Sequence, residues 1–547
     1  MMNETIKLVR THSQNVNNFF HTWRDMTDFA GVSTESNLSE RAGVKTSFWD
    51  YLSLLSSNLL CLPLQILTVA MTIRLLGPEG YGHIALYNMA VGLGLMMGVN
   101  WTAGSVLRFG REEFELTQKI NHTFWARTII MAPCLLLWLG FVLLFKDAIS
   151  QYIGIPPWAV GLLTGSVFLV AINNYLIYIL QAIRRMQAYA AVQVIGSAIT
   201  VAGLTLIFFK VFPGDFLTVI ILTILSGMVT IIITCIFWVP VNALLPIKID
   251  RTTLREIFQF SYPIILASIS AYIVNWVDVM IIKQYLTLSD VGVYQVAYQT
   301  FLFGLALIMV ASTLTTPIII SFLANGREDL ILRYSIRLVP QGILIWSVAV
   351  GIGLAISPLG FHLVFGNQFT ISIFYFQFLA LGLALNAVPV FCNGIMMAYK
   401  TIKHSVAVNI LMALLNLSGD FLLIPVLGAV GAAISTSVAI SASALLNLLI
   451  CQRRLRINLC WQLSLILPAL VSFGVNRFVS SQWAPFLAIG TALVAGYYLA
   501  KRFHIFQRED LLFLDYIRMP ASLKRAIIWV YPFLTSGKQY NDSEVNS

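Results

Sequence analysis

Hydrogen-bonding side chains stand at helical spacing inside otherwise apolar stretches of this 547-residue chain. One stretch carries Ser261, Ser268, Tyr272, Asn275 and Asp278 within one broad face of a helix. Two shorter rows consist of Asn174, Tyr178 and Gln181, and of Asn386 and Asn393. A hydroxyl-rich ligand cannot leave water for lipid without such partners, so these faces are candidates for lining a wet cavity. The alternative for any single Asn or Ser is a hydrogen bond between two helices.

Charged side chains inside the apolar stretches are scarcer. Asp278 and Asp420 are candidates for binding a coupling proton or a sodium ion, and the alternative for each is a solvated or hydrogen-bonded helix end. Arg74 and Lys283 each end an apolar stretch and are candidates for a phosphate-type headgroup. Their alternative is snorkelling to phosphates of the outer leaflet.

Three further cations, Arg108, Arg127 and Arg184, lie toward the opposite side of the membrane. They are weaker headgroup candidates, because the ordinary excess of basic residues on the cytoplasmic side already explains them. The chain contains no GxxxxGK[ST] loop, no HExxH and no CxxC. We therefore expect no cofactor, no metal site and no enzymatic activity, although a membrane-embedded sugar polymerase or ligase is a rival hypothesis.

The elements that position these side chains are membrane-spanning helices. Hydrophobic residues make up 58% of the chain, charged residues 11%, and the mean hydropathy is +0.82. Apolar stretches of membrane-spanning length recur between residues 51 and 500. Lipid forces backbone groups to pair within each segment, so the sequence predicts an all-α integral membrane protein with about 14 transmembrane helices.

The basic residues predict the orientation. Most of the 34 Lys and Arg fall in the termini and in alternate loops, whereas Arg74, Lys146, Lys210, Lys283 and Arg477 lie on the other side. This asymmetry predicts that both termini are cytoplasmic and that the net charge of +10 does not indicate nucleic-acid binding. Residues 1–50 form a cytoplasmic N-terminal segment without a cleavable signal peptide. Residues 501–547 form a cytoplasmic tail with an interfacial amphipathic helix near 511–534, rather than a fifteenth span.

An internal repeat predicts two six-helix pseudo-symmetric lobes. Gln65 meets Asn275, Thr68 meets Asp278 and Gly82 meets Gly292 at one constant shift of about 210 residues. We assign residues 51–240 to an N-lobe with spans 1–6, 241–258 to a cytoplasmic linker, 259–452 to a C-lobe with spans 7–12, and 453–500 to an accessory helix pair, spans 13–14. Two lobes of the same orientation enclose a central cavity.

Three short strings carry a family resemblance. The turn after the first span contains Gly77, Pro78 and Gly82, and a degenerate copy before the eighth span ends in Gly292. A third string, from Asn416 to Thr436, contains Asp420, Pro425, Gly428 and Gly431. Together they resemble the hairpin motifs of the polysaccharide exporter branch of the MOP (multidrug/oligosaccharidyl-lipid/polysaccharide) transporter superfamily.

The resemblance implies a flippase for polyprenyl-pyrophosphate-linked oligosaccharides in a bacterial inner membrane. Such a protein serves O-antigen, capsule or exopolysaccharide synthesis, and its partners are membrane lipid and the lipid-linked oligosaccharide. Two alternatives stay open, namely a peptidoglycan lipid-precursor flippase and a multidrug or cation antiporter of the same superfamily. The antiporter is disfavoured because the first six spans contain no Asp or Glu well inside them.

Overall fold

The computed structural model describes residues 35–399, 401–479 and 483–507. We label its longer helices in chain order. They are α1 (Glu35–Gly98), α2 (Asn121–Leu144), α3 (Val160–Ala182), α4 (Met186–Phe208), α5 (Phe216–Phe237), α6 (Ile264–Tyr285), α7 (Leu288–Ala324), α8 (Val339–Val364), α9 (Thr370–Leu385), α10 (Ala387–Ala398), α11 (Ile402–Leu427), α12 (Ala429–Leu455), α13 (Leu467–Phe478) and α14 (Ala484–Arg502). All regular elements in the described ranges are helices, as predicted. The predicted tail helix at 511–534 lies outside these ranges.

Twelve helices within the described residues are long and apolar enough to cross a membrane. The first of them, Leu60–Gly98, is bent at Gly77, where the backbone has φ 65° and ψ −173°. Helix α13 has only 12 residues and follows a 3-10 segment, Cys460–Ile466. The chain is thus a multi-pass membrane protein, and the number fourteen stays a prediction.

The same helix pairs contact one another in the N-terminal and C-terminal halves. In the first half, α1 packs on α3 and α4, and α5 packs on α3 and α4. In the second half, α6 packs on α11, α7 on α9, and α12 on α9 and α11. Helices α13 and α14 pack on each other and on α8, where the Ser472 hydroxyl donates to the Gly351 carbonyl at 2.6 Å. The repeat seen in the sequence therefore has a counterpart in the packing.

The linker between the halves contains its own amphipathic helix, Arg251–Ser261. Asp250 caps its first turn by accepting from the Thr252 and Thr253 amides at 3.1 and 3.2 Å. Pro263 separates this helix from α6, so α6 begins at Ile264 rather than at the predicted residue 259. The linker helix packs on α2 and on the 3-10 turn Asn100–Thr102.

The turns at residues 77–82 and 286–292 press against each other. A Cβ atom on Gly82 would lie 2.3 Å from the Leu288 carbonyl oxygen, and one on Gly292 would lie 1.9 Å from the Pro78 carbonyl oxygen. Both distances are far below a normal carbon-to-oxygen contact of about 3.3 Å. Only glycine fits at either position, and at the repeat shift each glycine corresponds to the other.

Candidate functional site

A cavity of about 380 Å³ lies inside the C-terminal half, between α6, α7, α10, α11 and α12. Three of the predicted cavity residues, Asn275, Asn386 and Asn393, line it together. The sequence predicted that they face a cavity between the lobes; the cavity that they line here is formed by helices of the C-terminal half, and the inter-lobe location stays a prediction. The rotation of α6 accounts for this lining: Tyr272 and Trp276 face the N-terminal half, whereas Asn275 faces inward.

The lining of this cavity mixes apolar residues with ten polar ones, and none of the described residues that form it is charged. Its polar members are Ser270, Asn275, Tyr298, Ser312, Asn386, Asn393, Ser405, Asn409, Ser443 and Asn447. Five of the ten are asparagines, and Phe301 adds an aromatic wall. Amides and hydroxyls both donate and accept, so this lining suits a neutral polyhydroxyl ligand of the size that ordinary pockets hold.

Several of these amides are already oriented by hydrogen bonds to the protein. Asn275 donates to the Ala271 carbonyl at 2.6 Å and accepts from the Tyr298 hydroxyl at 3.1 Å. Asn393 donates to the Ser312 hydroxyl at 3.1 Å, and Asn447 donates to the Ser443 carbonyl at 2.9 Å. The amides are held in fixed positions while part of their bonding capacity faces the cavity.

The other predicted cavity residues lie elsewhere. The Tyr272 hydroxyl donates to the Met89 carbonyl at 3.3 Å and so bridges the two halves. Ser268 is half-buried on α6 outside the lining. Asn174, Tyr178 and Gln181 are half-buried on α3 in the N-terminal half, away from this cavity.

Asp278 and Asp420 are both fully buried, with 0% exposure, and lie close enough to repel each other. A solvated helix end was one alternative for each from the sequence, and the burial of both side chains excludes solvation. Asp278 accepts from the Val279 amide at 2.8 Å and from the Tyr294 hydroxyl. Two buried carboxylates that repel each other are stable only if one of them takes up a proton or a cation lies nearby.

Asp420 has no hydrogen-bond partner for either carboxyl oxygen among the described residues. The Ser435 hydroxyl lies beside it but donates its only proton to the Asn416 carbonyl at 2.8 Å. The Asn416 side-chain oxygen, one helical turn before Asp420, is also unpartnered, while its amide donates to the Thr436 hydroxyl at 3.1 Å. These α11 oxygens, which have no partner within the described part of the chain, are available to a proton or a hard cation.

Arg74 donates hydrogen bonds to the C-terminal half of the protein. Its Nε donates to the Val364 carbonyl at 2.8 Å, and a terminal nitrogen donates to the Leu363 carbonyl. These are the last carbonyls of α8, so an arginine of the first half caps a helix of the second half. Lys283 lies in the last turn of α6, where a cation is favoured by the helix dipole.

The hairpin residues have distinct structural roles. Gly77 and Gly428 share nearly the same left-handed conformation, with φ 65° and ψ of −173° and −150°. Gly428 ends α11 and begins α12, directly after the turn containing Pro425. A Cβ on Gly431 would lie 2.5 Å from the Leu423 carbonyl group. These glycines permit the tight turn that brings Asn416 and Thr436 together.

The sequence did not predict that Arg127 is buried. Its side chain is fully buried, and neither Nη1 nor Nη2 has a hydrogen-bond partner among the described residues. The guanidinium carbon lies 4.2 Å from the Tyr175 ring centre and 5.9 Å from that of Tyr178, and its Nε bonds the Thr102 hydroxyl at 3.1 Å. A desolvated cation–π contact contributes about 2 kcal/mol. An uncompensated buried charge costs about 3–5 kcal/mol, so these rings do not balance it.

The two other arginines of this group, Arg108 and Arg184, are exposed. Arg184 is exposed and pairs with Glu115 at 3.2 Å. Arg108 is exposed and lies 5.0 Å from the Phe260 ring centre. Arg127 differs from these two arginines in being buried, and no pattern in the sequence predicts that burial. Asn409, Asn447, Tyr294 and Thr436 were likewise not predicted as site residues, although Asn416 and Thr436 stood in the third hairpin string.

Comparison with known proteins identifies the family. The model of the family described as "Polysaccharide biosynthesis protein" matches residues 49–323, just over half of the chain. A curated relative from Haloferax volcanii, the "Probable low-salt glycan biosynthesis flippase Agl15", is 29% identical over 197 residues. That stretch is 35% of this chain and spans only 41% of the relative.

Solved structures share the fold at low sequence identity. The lipid II flippase MurJ in its inward closed conformation matches with a TM-score of 0.64 and 13% identity, over 86% of this chain and all of that chain. An inward-facing multidrug resistance MATE transporter of the MOP superfamily matches with a TM-score of 0.56 and 16% identity, over 74% of this chain and 98% of that chain. The hairpin resemblance is confirmed: the chain belongs to the polysaccharide biosynthesis protein family and has the fold of MOP superfamily transporters.

Proposed function

We propose that this protein is a flippase that moves a polyprenyl-pyrophosphate-linked oligosaccharide across a bacterial inner membrane for surface polysaccharide synthesis. The observation that carries the proposal is the 380 Å³ cavity, lined by five asparagines and by hydroxyl groups without a charged side chain among its described lining. A neutral sugar is the cargo that such a lining recognises best. The family and the glycan flippase name of the Haloferax relative point the same way.

The proposed mechanism is alternating access between two lobes, residues 51–240 and 259–452. The reciprocal contact at Gly82 and Gly292 and the Arg74 cap hold the lobes together at the predicted outer side. Sugar enters from the cytoplasm, where both termini lie, and leaves when these contacts part. The polyprenyl tail stays in the bilayer, because moving each methylene out of an apolar medium costs about 0.8 kcal/mol.

The buried acid pair is the proposed coupling site. A proton or sodium ion bound between Asp278 and Asp420 neutralises a charge that burial otherwise penalises. Asp278 belongs to α6 and Asp420 to α11, and both helices also line the sugar cavity. Ion binding and release therefore act on the walls of the cavity itself.

The test is transport by the purified full chain in liposomes. A fluorescent polyprenyl-pyrophosphate oligosaccharide is added, and protection from a membrane-impermeant quencher reports flipping. We expect Asn393→Leu and Asn447→Leu each to slow flipping of the glycosylated lipid about two- to tenfold, since a buried hydrogen bond contributes about 0.5–1.5 kcal/mol. The matched control is Asn325→Leu, because Asn325 is an exposed helix-end amide outside the cavity.

Two further substrates separate the rival functions. Flipping of lipid II at the same rate as the oligosaccharide, with equal sensitivity to Asn393→Leu, would reassign the protein to peptidoglycan precursors. Efflux of a cationic dye without any lipid flipping would reassign it to drug transport. The uncharged lining argues against the second outcome, because the described lining offers a cationic cargo no carboxylate.

A further inference from the structure

Arg127 is enclosed by three elements of the N-terminal half. It stands six residues after the start of α2, about 9 Å into that helix. Tyr175 and Tyr178 of α3 cover one side of the guanidinium, and Thr102 of a 3-10 turn meets its Nε. None of the ion pairs among the described residues includes Arg127.

The groups nearest to Arg127 do not satisfy its terminal nitrogens. The Tyr175 hydroxyl lies beside the guanidinium but outside hydrogen-bond geometry, and it donates its proton to the Phe124 carbonyl at 2.6 Å. The nearest acid along the chain, Glu115, pairs with Arg111 and Arg184 at 2.7 and 3.2 Å. The next, Glu113, accepts from the His122 and Thr123 amides at 2.9 and 2.8 Å. Within the described ranges, two parallel donors of one guanidinium are thus left without an acceptor.

One wall of this enclosure is irregular. After Asn100–Thr102 the chain forms the π-helical segment Val106–Gly110, in place of a continuous α-helix. Trp101 and Phe109 of this region contact Phe258 and Phe260 of the linker helix Arg251–Ser261. A π-helical turn is a common device at functional sites. Movement of the linker helix therefore changes the wall that closes the Arg127 site toward the cytoplasm.

We propose that Arg127 binds a phosphate group, and that the pyrophosphate of the lipid carrier is its ligand, an inference that rests on the proposed function. A guanidinium presents two parallel N–H groups that match two phosphate oxygens, which is the arrangement the free Nη1 and Nη2 offer. The division of tasks follows: the N-terminal half binds the charged pyrophosphate, and the uncharged cavity of the C-terminal half binds the sugar. The site is occluded in this conformation and opens when the linker helix moves.

The experiment measures ligand binding by the full chain in phosphatidylcholine nanodiscs. The probes are sugar-free polyprenyl pyrophosphate, polyprenol, and inorganic pyrophosphate, with phosphatidylglycerol nanodiscs as a further arm. We expect Arg127→Gln to weaken polyprenyl pyrophosphate binding at least tenfold, with no change for polyprenol. Arg127→Lys retains an intermediate affinity, because one ammonium replaces the charge but not the paired donors.

The matched control is Arg454→Gln. Arg454 is also a predicted cytoplasmic-side arginine over a tyrosine, 4.6 Å from the Tyr399 ring centre, but it is exposed. We expect this variant to bind like the wild type. The thermal midpoint of the ligand-free protein is a second readout. Arg127→Gln should leave it unchanged or raise it, since an unpaired buried charge is removed, whereas a purely structural role predicts a lower midpoint with unchanged binding.

The outcomes separate this inference from the proposed function. Wild-type affinity for every phosphate probe in Arg127→Gln would overturn the inference even if the protein flips oligosaccharide. Arg127-dependent binding of polyprenyl pyrophosphate without oligosaccharide flipping would uphold the phosphate site and overturn the function. Arg127-dependent binding of phosphatidylglycerol or inorganic pyrophosphate alone would uphold a phosphate site and overturn the lipid carrier as its ligand.

Discussion

Gly292 touches the Pro78 carbonyl group through its backbone, so closely that a Cβ atom would lie 1.9 Å from the oxygen. We expect Gly292→Ala to force the two turns apart by roughly 1.5 Å, because a carbon-to-oxygen contact relaxes only near 3.3 Å. The lobes should then favour the conformation that is open at this side. Labelling of Glu79→Cys with a membrane-impermeant maleimide, in a background without native cysteines, should become several times faster.

The control for this prediction is Gly360→Ala, because a Cβ there meets nothing within 4 Å. Gly82→Ala should behave like Gly292→Ala, since its Cβ would lie 2.3 Å from the Leu288 carbonyl oxygen. Labelling at residue 79 that is unchanged in both glycine variants would refute the idea that this contact closes the outer side.

Replacing Arg74 should loosen the same side by a different route. Arg74→Gln removes the hydrogen bonds to the last carbonyls of α8. Arg74 is exposed, so water replaces part of these bonds and the expected effect is about 1 kcal/mol, or about fivefold in the population of the open form. The maleimide assay measures it, with Arg477→Gln as a control because Arg477 lies over Phe374 of α9 and away from the first half. Equal labelling rates in Arg74→Gln and the wild type would contradict the capping role.

Replacing either member of the buried acid pair, Asp278 or Asp420, should abolish ion coupling. In liposomes, an imposed sodium or pH gradient should accelerate flipping by the wild type, whereas Asp420→Asn and Asp278→Asn should lose at least nine-tenths of that stimulation. An amide neither exchanges a proton nor balances a cation at these buried positions. Asp147→Asn is the control, because Asp147 is exposed on a short helix outside the spans. Full stimulation in both variants would assign the pair to packing alone.

Tyr294 should stabilise the protein through Asp278. Its buried hydroxyl donates to that carboxyl group, so Tyr294→Phe should lower the free energy of unfolding by about 1.5–3 kcal/mol. The effect should shrink when Asp278→Asn is already present, and a double-mutant cycle of denaturant unfolding in detergent measures the difference. Tyr285→Phe, at the exposed end of α6, is the control. Additive losses in the cycle would show that the hydrogen bond contributes nothing.

The predicted topology has its own test. Basic residues assign the helix Arg111–Thr117 to the cytoplasm and the helix Lys146–Ile153 to the outside. In intact cells, an impermeant thiol reagent should label Asp147→Cys and spare Thr117→Cys, both in a background without the native cysteines. The reverse labelling pattern would show that the protein has the opposite orientation in the membrane, with the Gly82 contact on the cytoplasmic side.

Local signals predicted most of the fold. Apolar stretches of spanning length gave the helices, and Gly77, Pro78 and Gly428 marked turns because glycine and proline act on the backbone where they stand. The sequence could also predict that Asn275, Asn386 and Asn393 line one cavity, since all three are amides in spans of one half. The sequence could not predict where that cavity lies, because the rotation of each helix depends on packing partners that are distant in sequence.

The rest of the site depends on tertiary structure. Arg127 fits the positive-inside pattern as well as Arg108 and Arg184 do, and only the fold buries it beneath Tyr175. Asn409 and Asn447 are single amides in apolar helices, which is how residues that join helices also appear. Sequence spacing within one helix cannot show which of these side chains meets a cavity wall formed by four others.

The paired contact at the two turns has the geometry of a subunit interface. Gly82 meets Leu288 as Gly292 meets Pro78, so each half supplies the same two positions and receives the same two in return. That reciprocity is the defining property of an isologous two-fold contact between identical subunits. A half-length ancestor could have closed its transport path by pairing with a second copy of itself. In the present chain the two glycines constrain each other, and neither half can change its turn alone.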